Sequence, residues 1–170
     1  MTNVDVTEIQ ENFSELTNHK NINLYEKDYY YWLNETAYLL AEGRFSDLDI
    51  PNLIEEIESM GKSEKRAIES YLNVLLLHLL KWKYQPGHRS GSWRGSIRNS
   101  RWGIHKRIQE SPSLKSYPQD IFLECYTLAR ANAADETGFP LEIFPEVPPF
   151  TIEQVLDDHF LPSESTLLES

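Results

Sequence analysis

Leu53, Ile57, Met60, Ile68, Tyr71, Leu75, His78 and Trp82 recur at steps near three and four along the chain. That is the period of one face of an α-helix, and it predicts a helix from the region of Pro51 to about Tyr84. Only "GKSEKR" interrupts the seam, and Gly61 there permits a bend. A seam this long must be covered by other elements, so it constrains the fold more than any other feature.

The flanking segments read the same way. Tyr25, Tyr29, Trp32, Leu33, Thr36, Leu39 and Leu40 mark a first helix over residues 24–42, and Gly43 is a suitable left-handed stop. Asp49 is placed to cap the second helix, and Pro51 falls in its first turn, where a missing N–H costs little. After the basic connection "QPGHRSGS", Ser92 is read as the cap of a third helix with the apolar stripe Trp93, Ile97, Ile104 and Ile108. Gly95 and Gly103 lower its propensity, so packing must hold it. Ser116 and Gln119 have the spacing of a capping box before a fourth helix that carries Ile121, Phe122, Cys125, Leu128, Ala129 and Asn132 and ends at Gly138. "FPLEIFPEVPPF" has four prolines in twelve residues and reads as an extended strap. Thr151 and Gln154 then open a short last helix, "IEQVLDDHF".

No strand pairs or repeats stand out. The expected fold is all-α: a compact helical bundle of about four main helices, a Pro-rich strap and a short C-terminal helix. At 170 residues, 40% of them hydrophobic, the chain suits one substantial core. A single domain over residues 23–162 is expected, with a poorly ordered segment at 1–22 and an acidic tail at 163–170. The longest apolar run, "VLLLHLL", is far below the ~20 residues that span a bilayer, and the first residues do not read as a signal peptide. The expectation is a cytoplasmic protein without a membrane partner. Cys125 is the only cysteine, which leaves no intrachain disulfide and no cysteine-based zinc site; its apolar surroundings make it a core residue.

The formal net charge is -11, yet residues 79–107 carry eight of the sixteen Lys and Arg residues and no carboxylate. On an ideal helix Arg94, Arg98, Arg101 and His105 fall within about 60° of one another. This stripe borders the apolar one, so Arg101 is expected at the core edge, where a guanidinium needs an acceptor. Glu56 and Glu64 of the second helix are candidate partners for the arginines. The ligand or anion candidates are Lys81, Arg89, Trp93, Arg94, Arg98, Arg101 and Trp102. Glycines and small residues before a helix N-terminus suit an anion, and tryptophans among cations suit stacking. Trp93 reads as core, whereas Trp102 points away from the apolar stripe. His78, inside an apolar run, reads as a neutral hydrogen-bonded side chain, with general base as the alternative. Glu56 is the other acid/base candidate. The two are 22 residues apart, roughly 33 Å on a straight helix, so they are alternatives rather than one site. No metal motif accompanies them, and no cofactor is implied.

The ordered set "LDIPNLIEEIESMG", "HLLKW" and "RSGSW", continued by "SPSL", "CYTLARANAADETG" and "FP", resembles the bacterial family of domain of unknown function 29, abundant in cyanobacteria. The resemblance covers about residues 25–162. It implies a compact, mostly helical domain and transfers no activity. The leading expectation is therefore a small accessory or regulatory protein, more a binder than an enzyme, that engages a protein or other partner through the basic loop and helix. Nucleic-acid binding is the alternative, and an enzyme acting on a phosphorylated or other anionic substrate is the third reading.

Overall fold

The computed structural model describes residues 24–163, and all regular structure among them is helical. After a helical turn at residues 24–27, the helices are α1 (Tyr29–Ala41), α2 (Ile50–Tyr84), α3 (Gly91–Glu110), α4 (Tyr117–Asp120), α5 (Phe122–Thr137) and α6 (Ile152–Leu156). Single 3₁₀ turns lie at Phe45–Asp47, Pro86–His88, Pro112–Leu114 and Leu141–Ile143. The fold is all-α, with four main helices, α1, α2, α3 and α5. The segment 1–22 and all but the first residue of the expected acidic tail lie outside the described residues. The chain divides into two compact units, one ending at Gly61 and one beginning at Lys62, with the division inside α2.

The described residues of the first unit form a helical hairpin of α1 and the opening turns of α2. The helix expected over residues 24–42 is interrupted at Asp28. There the side chain accepts from Tyr31 N at 3.0 Å and starts α1 afresh, a local bond that competes with the helical ladder. The far end follows expectation, with Gly43 left-handed at φ 69° just past α1. Trp32, Thr36 and Leu39, spaced by one and two turns, are buried. The Tyr25 ring stands edge-on to Trp32 at 4.9 Å. Asp49 is buried and accepts from Asn52 N at 3.5 Å and from its side-chain amide at 2.7 Å, which fixes the start of α2. The sequence seam is not a core here. Ile57 and Met60 are 60% and 68% exposed.

The second unit holds the large core. Ile68, Leu72, Leu75, Leu76, Leu79 and Leu80 of α2 are fully buried. They belong to one cluster with Ile97 and Ile104 of α3 and with Phe122, Cys125, Tyr126, Ala129 and Ala133 of α5. Each such leucine contributes about 1.5–3 kcal/mol through burial. Gly103 explains itself by contact: a Cβ there would meet the Tyr71 ring at 2.6 Å. The glycine that weakens α3 as a helix is what lets that ring lie against it.

Caps and breaks differ from expectation in three places. Helix α3 is capped by Ser90, not Ser92; the Ser90 backbone is extended, and its hydroxyl accepts from Trp93 N at 3.3 Å. Ser116 makes no side-chain cap because its own backbone is already helical (φ -81°, ψ -17°), and the fourth helix is split at Ile121 into α4 and α5. The last helix stops at Leu156 rather than running to Phe160. Arg101 bonds the carbonyls of Val155, Asp158 and Phe160 instead. By contrast, the Thr151–Gln154 capping box forms, and Gly138 ends α5 in the left-handed conformation.

The proline-rich strap is pinned to the core. Phe144 and Phe150 are buried, Tyr126 donates to the Pro145 carbonyl at 2.6 Å, and Arg130 donates to the Phe144 carbonyl at 2.7 Å. A strap without a ladder leaves carbonyls in need of donors, and these side chains supply them.

Candidate functional site

The cations of residues 79–107 separate into those engaged inside the second unit and those that face outward. Arg101 is 2% exposed. Its Nε donates to the Val155 carbonyl at 2.8 Å, its Nη2 to that of Phe160 at 2.7 Å and its Nη1 to that of Asp158 at 3.4 Å. A guanidinium lodged on a carbonyl of the last turn of α6 and on carbonyls just beyond it is well placed for hydrogen bonding at a helix C-terminus. Burial pushes its pKa down, while Asp158 and Asp157 pull it up. The acceptor demanded by its position is therefore backbone, and neither Glu56 nor Glu64 supplies it.

Glu64 serves a different arginine. Arg107 Nη1 donates to both Glu64 oxygens at 2.9 and 3.0 Å. Glu56 accepts from the hydroxyls of Tyr25 at 2.6 Å and Tyr29 at 2.8 Å. These bonds hold the Glu56 carboxyl below its usual range and push the Tyr25 hydroxyl up to about 12, with the bond to Glu56 as the largest cause. A carboxylate held ionised in this way is a poor proton donor. Lys81 is buried; its ammonium pairs with Glu136 at 2.6 Å and lies 4.5 Å from the centre of the Trp93 ring. Nothing in "ADETG" marked Glu136 as that partner, because the pairing spans 55 residues. His78 is half-buried, and its Nδ1 donates to the Val74 carbonyl one turn back at 2.8 Å. Burial pushes the Cys125 thiol up to about 11, so it stays protonated at neutral pH.

Two shallow clefts along α3 take in Arg89, Arg94 and Arg98. One, of about 440 Å³, is lined by Trp82, Arg89, Ser90, Gly91 and Arg94 at the start of α3. The Arg89 and Arg94 guanidinium carbons lie 5.1 and 5.5 Å from the Trp82 ring centre, within cation–π range. Arg89 Nε is anchored on the Trp82 carbonyl at 2.9 Å. The second, of about 400 Å³, is lined by Arg98, Trp102, His105 and Asp158. His105 Nε2 donates to the Leu156 carbonyl at 2.9 Å, and Trp102 is 62% exposed with the Lys106 ammonium 5.2 Å from its ring centre. Arg94 and Arg98 are exposed and form no ion pair among the described residues. One helical turn apart, they share a face and link the two clefts.

The structure thus brings Arg89, Arg94, Arg98 and Trp102 to one side of α3 and takes Lys81, Trp93 and Arg101 into the fold. Ser90, Gly91 and Asp158 join the clefts. Only the small residues before α3 gave a sequence signal for them. No cluster of three metal-ligating side chains and no helix long and apolar enough to cross a membrane occurs among the described residues.

Comparison with known families matches residues 24–161 to the model described as Domain of unknown function DUF29. No curated protein and no solved structure matches the chain.

Proposed function

The chain belongs to the DUF29 family, whose function is undefined, and from that premise we propose a non-catalytic accessory or regulatory protein that engages an acidic face of a protein partner through the outward side of α3. The observation that carries the reading is the contrast within one helix. Arg101 and Arg107 are occupied by internal acceptors, whereas Arg94 and Arg98 stand exposed in clefts that Trp82 and Trp102 help to line. Exposed guanidiniums next to aromatic rings suit carboxylates presented by another surface, because the planar fork binds them in two-point fashion and the ring adds contact area.

Trp102 favours a second reading, single-stranded nucleic acid, since an exposed ring flanked by cations can stack on a base. The net charge of -11 opposes long-range attraction to a polyanion, which places this reading second. The enzyme reading has less support. His78 and Glu56 are each committed to other groups, and neither lines the clefts.

The test is fluorescence anisotropy with a labelled Glu/Asp-rich peptide and with labelled single-stranded and duplex oligonucleotides, at about 50 and 200 mM salt. The peptide is expected to bind at low salt and to lose about tenfold or more in affinity with Arg94→Ala/Arg98→Ala. Oligonucleotide binding that falls steeply with salt and disappears in that variant would move the assignment to nucleic acid. Binding of neither probe would overturn both.

A further inference from the structure

The first unit carries a surface of another kind. On α2, Ile54, Ile57 and Met60 are 53%, 60% and 68% exposed. At 100° per residue they occupy one arc of about 120°. On α1, Leu33 and Leu40 are 40% and 43% exposed and lie two turns apart on one face, and Tyr30 is 76% exposed. Scattered exposed apolar residues need no explanation, but an apolar stripe of three on one helix, repeated on its neighbour, marks an interaction surface. The hairpin is also incompletely satisfied within: the Trp32 indole N–H is buried without an acceptor among the described residues.

Charge decides what covers it. Residues 24–61 contain nine Asp and Glu and only two Lys and Arg. Glu55 is exposed on α2 beside the stripe, and Glu26 and Glu42 are exposed at either end of the α1 segment. A second copy would bring the same excess of carboxylates against itself, and an anionic membrane or nucleic acid would be repelled. The complement is a cationic surface with an apolar stripe. The α2 arc of Ile54, Ile57 and Met60 gives a helix bearing such a stripe an apolar ridge to pack against. We infer that the hairpin of residues 24–61 is a docking surface for a basic amphipathic helix of a partner protein. It draws on none of the α3 residues and is opposite to them in charge, so either assignment can fail without the other.

The probe is a labelled 18-residue peptide with leucines at helical spacing and lysines elsewhere, tested against the full chain by anisotropy. Its control has the same leucines with glutamates in place of the lysines. The lysine peptide is expected to bind, the glutamate peptide to bind about tenfold or more weakly, and Ile54→Ser/Ile57→Ser to cost the lysine peptide a similar factor. Both isoleucines are exposed, so circular dichroism should show the fold unchanged; Tyr30→Ser/Leu33→Ser gives an independent check from α1. Arg94→Ala/Arg98→Ala should leave the binding untouched. Lysine-peptide affinity unaffected by both hairpin variants would mean charge attraction alone and would overturn the inference. So would equal binding of the two peptides. A wild-type dimer in sedimentation that refuses both peptides and becomes monomeric with Ile54→Ser/Ile57→Ser would also overturn it, making a second copy the occupant.

Discussion

The two parts of α2 obey the same sequence rule and meet different fates. Before Gly61, Ile54, Ile57 and Met60 are more than half exposed; after it, Ile68, Leu72, Leu75, Leu76, Leu79 and Leu80 are not exposed at all. Periodicity makes a helix of both, because apolar residues at steps of three and four produce a stripe whatever faces it. Whether the stripe becomes core depends on what packs against it. The second unit supplies α3, α5 and the strap, while the first supplies one short helix whose buried face is limited to Trp32, Thr36 and Leu39. The difference teaches that an amphipathic helix reports the presence of a partner surface, not whether that surface lies in the same chain.

The sharpest way to break this comparison is to truncate one residue on each side. Leu76→Ala should destabilise the protein by about 2–5 kcal/mol in urea unfolding, through lost burial and a cavity the core cannot fully close. Ile57→Ala, at 60% exposure, should stay within about 0.5 kcal/mol. Similar losses at both positions would mean that the hairpin stripe is buried in solution.

A second contrast lies within α3, between a buried and an exposed arginine. Arg101→Met removes the donor to three carbonyls and leaves them unmatched, at an expected cost of about 3 kcal/mol. It should also make the segment after α6 more sensitive to limited proteolysis. Arg98→Met should change stability by no more than about 0.5 kcal/mol. Equal effects would dissolve the division of cations on which the proposed function rests.

The smallest expected effect concerns pH and separates the units again. Glu56 has a lowered carboxyl pKa, so its contribution to the hairpin is present above the unfolded value near 4.3 and is lost as pH falls through the folded one. Tyr25 has a raised hydroxyl pKa, so its contribution is intact below about 10 and is lost as pH rises towards about 12. Tyr25→Phe removes the bond to Glu56 that is the first cause of both shifts. An amide-exchange comparison at neutral pH should show faster exchange in residues 29–41 of that variant, with residues 97–104 of α3 unchanged. An unchanged hairpin would mean that the Tyr25–Glu56 bond contributes nothing measurable at the surface.

Helix order and several termini were legible because they depend on local chemistry. Gly43 and Gly138 tolerate positive φ, and Thr151 reaches Gln154 across one turn. Ser92 misled because Ser90, two residues earlier, is equally capable of capping; backbone conformation chose between them, with Ser90 extended. Ser116–Gln119 matched a capping box in spacing only, since a helical backbone at Ser116 left its hydroxyl out of reach. In the candidate site, the exposure of Trp102 followed from its angle to the apolar stripe. The partners of Lys81 and Arg101 did not, for each acceptor lies more than fifty residues away in sequence.

By itself the sequence determined that the chain is all-α, where the long helix runs, that residues 79–107 are basic and that Arg101 needs an acceptor. These follow from residue period, propensity and the cost of burying charge, all of which act over a few neighbouring residues. Only the tertiary structure decided which half of α2 is core, which cations are spent on the fold and which remain outward. Those outcomes depend on surfaces brought together from distant parts of the chain, and the local pattern is the same whether or not they arrive.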